Sequence, residues 1–237
     1  MSQQPTVVLV HGAWHGAWCY ASLQHALDEL GIPSYAVDLP GHGASLLPPT
    51  DLLGDAAHVA AVLDRIDGPV VLVGHSYGGA VISRAAVGHS NVQHLVYLAA
   101  FVLNEGESVM SLLRSLPPAS VGLAAAMRPH DTNSSVLDPA LAGAALYGDC
   151  PAPAIEAALA RLSPQPQATI MQAADASAIG SVPSTYVLCL RDDAVHPTHQ
   201  ALMAERCTHT VTFDCDHSPF MSRTADTAAL LAGLTSS

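Results

Sequence analysis

The sequence is poor in charge, and poorest in positive charge. Of 237 residues only 12% are charged, with eight Lys and Arg against twenty Asp and Glu and a formal net charge of −12. A chain this acidic, with no basic cluster, argues against nucleic acid and anionic membranes as partners. Long apolar runs are missing too. The longest, Leu95–Leu103, falls far short of the roughly 20 residues a membrane-spanning helix needs. The opening MSQQPTVVLVHG has neither the basic start nor the apolar stretch of a signal peptide. Five cysteines, Cys19, Cys150, Cys189, Cys207 and Cys215, are odd in number and contain no C-x-x-C pair. That spacing supports neither a disulfide framework nor a zinc site. What remains is a globular chain with reduced thiols, expected in the cytoplasm. Half its residues are apolar, enough at this length for a large core.

Short β-rich runs alternate with helical patterns: TVVLVH (6–11), PSYAVDL (33–39), PVVLVGH (69–75), VQHLVYLA (92–99), STYVLCL (184–190) and HTVTFD (209–214). Several are apolar on both faces, as in parallel strands covered by helices on each side. Helices are predicted near 17–30, 51–66, 77–88, 198–206 and 219–234. The alternation pauses over 104–182, where helix-like pieces such as LDPALAGAALYG are separated by Pro-rich joints, LPPAS and SPQPQ. The expected organisation is an α/β core of residues 1–103 and 183–237, with about six mostly parallel strands. A small helical lid, residues 104–182 and without strands, interrupts it.

The chemistry concentrates where strands end. LVGHSYGGA (72–80) holds the pattern G-x-S-x-G between an apolar strand and an Ala/Val helix. Alone the pattern is weak; in that context it marks a nucleophile elbow with Ser76 at its tip. A serine hydroxyl needs a base, and the base needs an orienting carboxylate. His217, directly after the last strand in CDHSPF, is the expected base. The strand STYVLCL runs into RDDAVHP, where Asp192 and Asp193 both qualify as the acid. Asp214 and Asp216 flank His217 too closely to brace its ring. The loop HGAWHGAW follows the first strand, and its Gly12 permits close approach of backbone to a ligand. The amides of Ala13 and Tyr77 are the expected oxyanion donors. Gly12, Trp14 and His75 are the expected substrate-contacting residues. His11 and His15, four apart on a loop with no third ligand, make a poor zinc site. DLPGHGAS (38–45) reads as a framework turn, and lid residues Leu112, Leu116, Met127, Leu146, Tyr147 and Met171 mainly as packing. GHSYGG lacks the Lys of a phosphate-binding loop.

Together VLVHGAWHGAWCY, DLPGHGAS, VLVGHSYGGAV and DHSPF resemble the α/β-hydrolase superfamily. More narrowly the chain is similar to the small esterase and hydroxynitrile lyase group that includes plant methyl-ester hydrolases and bacterial relatives. The likeness spans nearly the whole core; in the lid it extends only to helical character and position. It implies an α/β-hydrolase fold with a triad of Ser76, Asp192 and His217. In this group the acid stands eight places before a Gln, and Asp192 stands eight before Gln200, which favours it over Asp193. The resembling lyases put Thr after the first His and Lys after the catalytic His, where this chain has Gly12 and Ser218. The implied activity is therefore hydrolysis of a small, fairly apolar carboxylic ester, with neither cofactor nor metal. A lactonase, thioesterase or C–C hydrolase would use the same triad, and a receptor with little turnover would keep the same pocket.

Overall fold

Among the described residues, 4–235 of this computed structural model, nine strands form. They are β1 (Thr6–Val10), β2 (Ser34–Val37), β3 (Val70–His75), β4 (Val92–Leu98), β5 (Met127–Pro129), β6 (Ser134–Leu137), β7 (Gln165–Pro166), β8 (Ser184–Cys189) and β9 (His209–Phe213). Six of them make one sheet in the order β2-β1-β3-β4-β8-β9, and every pairing in it is parallel. Strands β3 and β8 are buried from end to end, while the edge strands β2 and β9 keep exposed positions.

Side-chain alternation feeds two cores. Val8, Val10 and Leu72 meet Leu52, Val59 and Val81 on one face. Val7, Leu9 and Val71 meet Leu23, Leu27 and Leu231 on the other. Helices Leu52–Leu63 and Tyr77–Ala85 thus cover the first face, and Ala21–Glu29 and Thr224–Thr235 the second. Asp51 starts the first of these helices by accepting the Gly54 N–H at 2.9 Å.

From β1 the chain crosses to β2 on one side and returns to β3 on the other. The strand order reverses there, so the loops leaving β1 and β3 flank a crevice at the sheet's carboxyl edge, where open α/β sheets bind ligands.

Residues 104–182 correct the expectation of a strand-free, purely helical segment. Helices Val109–Ser115, Gly122–Ala126, Pro139–Tyr147, Ala152–Leu159 and Gln167–Met171 are present. With them comes a small antiparallel sheet in the order β5-β6-β7. Its strands are too short to show a period of two, and Pro129 and Pro166 fall inside them. Among the described residues all five cysteines are free, and no helix is long and apolar enough to cross a membrane.

Candidate active site

Strand β3 ends on His75 and a helix begins at Tyr77, leaving Ser76 alone in the turn at φ 51° and ψ −120°. A non-glycine residue in this region costs about 1–3 kcal/mol and persists only when its surroundings fix it. Here the Ser76 N–H donates to Leu98 O at 3.1 Å, and Ser76 O accepts from Gly79 N–H at 3.1 Å and Phe101 N–H at 3.0 Å. Gly74 makes the turn possible: a Cβ there would stand 2.5 Å from Gly78 O and 2.7 Å from Gly79 N.

His217 follows β9, and its Nδ1–H donates to Asp192 Oδ2 at 2.7 Å. The remaining acceptor capacity of Asp192 is taken by Gln200 Nε2–H on the same oxygen at 2.8 Å, and by Ala194 N–H and Val195 N–H on Oδ1 at 2.7 and 2.8 Å. Four donors hold this carboxylate in one orientation. Asp193 is exposed and accepts the Gly122 N–H at 2.7 Å. Asp214 pairs with Arg191 at 2.7 Å, and Asp216 accepts from Ser222 Oγ–H and Asp149 N–H. Neither braces the imidazole. His75 packs its ring 4.4 Å from that of His217 and donates from Nε2 to His217 O at 2.9 Å, which ties the loop of His217 to the elbow.

Gly12 lies against Ser76: a Cβ on it would be 2.9 Å from Ser76 Cβ and 2.9 Å from His75 Nδ1. The carbonyl of the Gly12–Ala13 peptide accepts from His11 Nδ1–H at 2.8 Å and His15 N–H at 3.3 Å. A trans peptide points its N–H the opposite way, so the Ala13 N–H is turned away from both histidines. Trp14 and His15 amides are committed to Gln165 and Gly12, whereas no acceptor among the described residues takes that of Ala13. Tyr77 opens its helix, and its N–H has no intrahelical partner.

His11 and His15 use their ring nitrogens within the fold. His11 Nε2 accepts from Leu39 N–H at 3.1 Å; His15 Nδ1–H donates to Ala13 O at 2.7 Å and its Nε2 accepts from Tyr147 O–H at 2.7 Å. Burial holds His15 down to about 4 and holds His11 and His75 well below the usual imidazole range, with neighbouring histidines adding to it. Among the described residues no group of His, Cys, Asp and Glu is placed to hold a metal ion. All three polar groups of Trp14 are engaged by the 104–182 segment.

Two residues escaped the sequence reading. Asp55, on the helix that packs beneath the elbow, is buried and accepts the Tyr77 O–H at 2.7 Å. Its carboxyl is pushed up to about 7, chiefly by burial. A single acid among Leu52, Ala56 and Val59 on an apolar helix face was the available signal. Gln165, hidden in the SPQPQ joint, carries no such signal and is found only through its contacts.

The three residues are buried: Ser76 is 8% exposed, Asp192 5% and His217 1%. A nearby cleft of about 230 Å³ between Trp18, Cys150, Ala158 and Arg161 is lined by none of the three.

Comparison with known proteins identifies the family. The model of the alpha/beta hydrolase family matches residues 7–230. An alpha/beta hydrolase, nvfD, of Aspergillus novofumigatus is 31% identical over 86% of this chain and 84% of its own. A carbendazim hydrolyzing esterase of Nocardioides sp. is 41% identical over 117 residues, and this match spans about half of each protein, 47% and 48%. The solved Arabidopsis methylesterase MES16 superposes with a TM-score of 0.81 at 26% identity, over 98% of this chain and 99% of that one. The chain belongs to the alpha/beta hydrolase family, among relatives named as esterases, methylesterases and hydrolases.

Proposed function

We propose that this protein is a serine carboxylic-ester hydrolase acting on a small, fairly apolar ester through an acyl-enzyme. Ester hydrolysis as the general class is supported by the relatives, whose printed names are those of esterases and methylesterases. The finer reading rests above all on one observation, the 2.7 Å bond from His217 Nδ1 to a fully engaged Asp192. That bond puts the imidazole proton on Nδ1 and leaves Nε2 unprotonated as a base.

In this reading Nε2 takes the proton of Ser76 Oγ as the oxygen attacks the ester carbonyl. The Asp192 carboxylate stabilises the imidazolium that forms. The amides of Ala13 and Tyr77 bind the oxyanion, and losing one such donor costs about 10²–10³ in rate. Imidazolium then protonates the departing alcohol. Water, deprotonated by the same Nε2, attacks the acyl-enzyme, and Ser76 leaves with the proton. Of the substrate-contacting residues, Gly12 stands against Ser76. In this reading Trp14 and His75 line the pocket with their apolar ring surfaces.

Residues 104–182 act as the lid. They bond to the loops around the site at Trp14, His15, Asp193 and Asp216, and in this reading their movement admits the substrate to the buried Ser76. Turnover of p-nitrophenyl butyrate tests the whole reading. Ser76→Ala is expected to abolish it while leaving the circular dichroism unchanged; full retained activity defeats the reading.

A further inference from the structure

Trp14 has an unusual backbone. It is a non-glycine residue at φ 64°, one position after the proposed oxyanion donor Ala13, and its own loop supplies only part of what holds it. Its N–H donates to Gln165 Oε1 at 2.9 Å, its carbonyl accepts from Ser163 N–H at 2.9 Å, and its indole Nε1–H donates to Ser135 O at 3.2 Å. All three partners belong to the 104–182 segment, and Ser135 and Gln165 are cross-strand neighbours in β6 and β7.

Gln165 is the centre of this grip. It is 1% exposed, so each polar atom must find a partner inside the protein. Its Nε2 donates to Thr169 Oγ1 at 2.8 Å, and the Thr169 hydroxyl spends its own proton on Pro166 O at 2.6 Å. That chain fixes which end of the amide is oxygen. Oε1 then has two lone pairs, one for the Trp14 N–H and one for His42 Nε2, 2.9 Å away. A single side chain from the covering segment thereby joins the loop after β1 to the turn DLPGHGAS after β2. The Ala13–Trp14 peptide is held from both sides, since its carbonyl also accepts from His15 Nδ1–H.

We propose that Gln165 is a positioning residue for catalysis: it sets the Ala13–Trp14 peptide, and through it aims the Ala13 amide at the reacting carbonyl. The role rests on the serine-hydrolase reading above. It makes the covering segment part of the catalytic apparatus, because a segment that swings away takes the acceptor of Trp14 N–H with it. The oxyanion loop is complete only when the site is shut. Water is excluded at the same moment, so closure and competence coincide.

The test is steady-state hydrolysis of p-nitrophenyl butyrate by Gln165→Leu and Gln165→Glu. Leucine fills a similar volume but leaves the Trp14 N–H without an acceptor and removes the partner of His42 Nε2, whose Nδ1 keeps its contact with Pro40 O. Glutamate restores that acceptor, and the Thr169 hydroxyl can rotate to donate to it. Misplacement of a reacting group by about 1 Å costs up to roughly 10²-fold. Gln165→Leu is expected to lower kcat at least tenfold with KM within about threefold, and Gln165→Glu to recover most of that loss. A Leu variant within twofold of wild type overturns the proposal. So does a Glu variant as slow as the Leu variant, or a loss confined to KM. If Gln165→Leu fails to fold, Thr169→Val takes its place: it frees the Gln165 amide, a several-fold fall in kcat at constant KM is expected, and an unchanged kcat overturns the idea. Ser76→Ala in the same assay keeps the two readings apart. Activity surviving there defeats the serine mechanism, whereas an inert Gln165 beside an essential Ser76 defeats only the positioning role.

Discussion

Asp55 accepts a hydrogen bond from the Tyr77 hydroxyl at 2.7 Å, and its other oxygen, Oδ1, is buried with no partner. The pair ties the helix Leu52–Leu63 to the first residue of the helix behind Ser76. A buried carboxylate satisfied on one side only is costly to ionise, which is why burial pushes it from 3.8 up to about 7.

The linkage sign follows. The folded state keeps the Asp55 proton after the unfolded state has lost it, so its contribution is fully present below pH 3.8 and is lost as pH rises through about 7. At about 1.4 kcal/mol per pH unit the ceiling is about 4 kcal/mol. Asp55→Asn keeps an acceptor for the Tyr77 O–H and removes the titration. The variant is expected to gain stability over wild type between pH 4 and 8, by urea denaturation at each pH. An equal difference at both ends of that range contradicts the assignment.

Buried histidines act in the opposite direction. His15 is neutral in the fold, held to about 4 by burial, with Nδ1–H on Ala13 O and Nε2 accepting from Tyr147. Its contribution is present above pH 6.5 and is lost as pH falls through about 4, a ceiling of about 3 kcal/mol. His11 and His75 are held low for the same reason. His15→Asn retains a donor for Ala13 O and is expected to flatten the acid limb of melting temperature against pH. A limb of unchanged steepness rules out His15 as its source.

These buried groups show where sequence reading stops. The elbow was legible because its steric demand is local, with Gly74, Gly78 and Gly79 all within three positions of Ser76. Strand β3 was legible because burial along its whole length makes it almost continuously apolar, whereas β2 and β9, with exposed positions, stood out only through their alternation with helical stretches. Asp192 was separable from Asp193 only through the spacing to Gln200, whose Nε2 donates to Asp192 Oδ2. Asp55–Tyr77 and Gln165–Trp14 join residues far apart in the chain, and no periodicity encodes such pairs. Strands β5 to β7 were missed because two to four residues carry no period.

The two adjacent aspartates have different environments, and their substitution by Asn is expected to separate them. In Asp192→Asn the amide can present Nδ2–H toward His217 Nδ1, which favours the wrong tautomer and leaves Nε2 protonated. A fall in kcat of roughly 10³–10⁴ is expected. The Asp193 carboxylate is at the surface and accepts the Gly122 N–H, and Asp193→Asn is expected to stay within about threefold of wild type. Comparable losses in both variants remove Asp192 from its place as the orienting acid.

Gly12 provides the most direct steric test of the crevice between β1 and β3. A methyl group at this position must stand 2.9 Å from both Ser76 Cβ and His75 Nδ1, and neither neighbour has room to yield. Ser76 is fixed by three main-chain hydrogen bonds, and the His75 ring is wedged between those of His217 and Phe220, 4.4 and 4.8 Å away. Overpacking of a fixed site costs about 1–3 kcal/mol. The loop after β1 is the softer partner, so the strain is expected to push it outward and carry the Ala13 amide off its line. Gly12→Ala should therefore cost about 10²-fold or more in kcat, with a drop in melting temperature of only a few degrees. Phosphonylation of Ser76 by a fluorophosphonate, which passes through a similar oxyanion, should slow in parallel. If labelling keeps its wild-type rate while ester turnover falls, the glycine acts on substrate entry and the amide of Ala13 is not the donor.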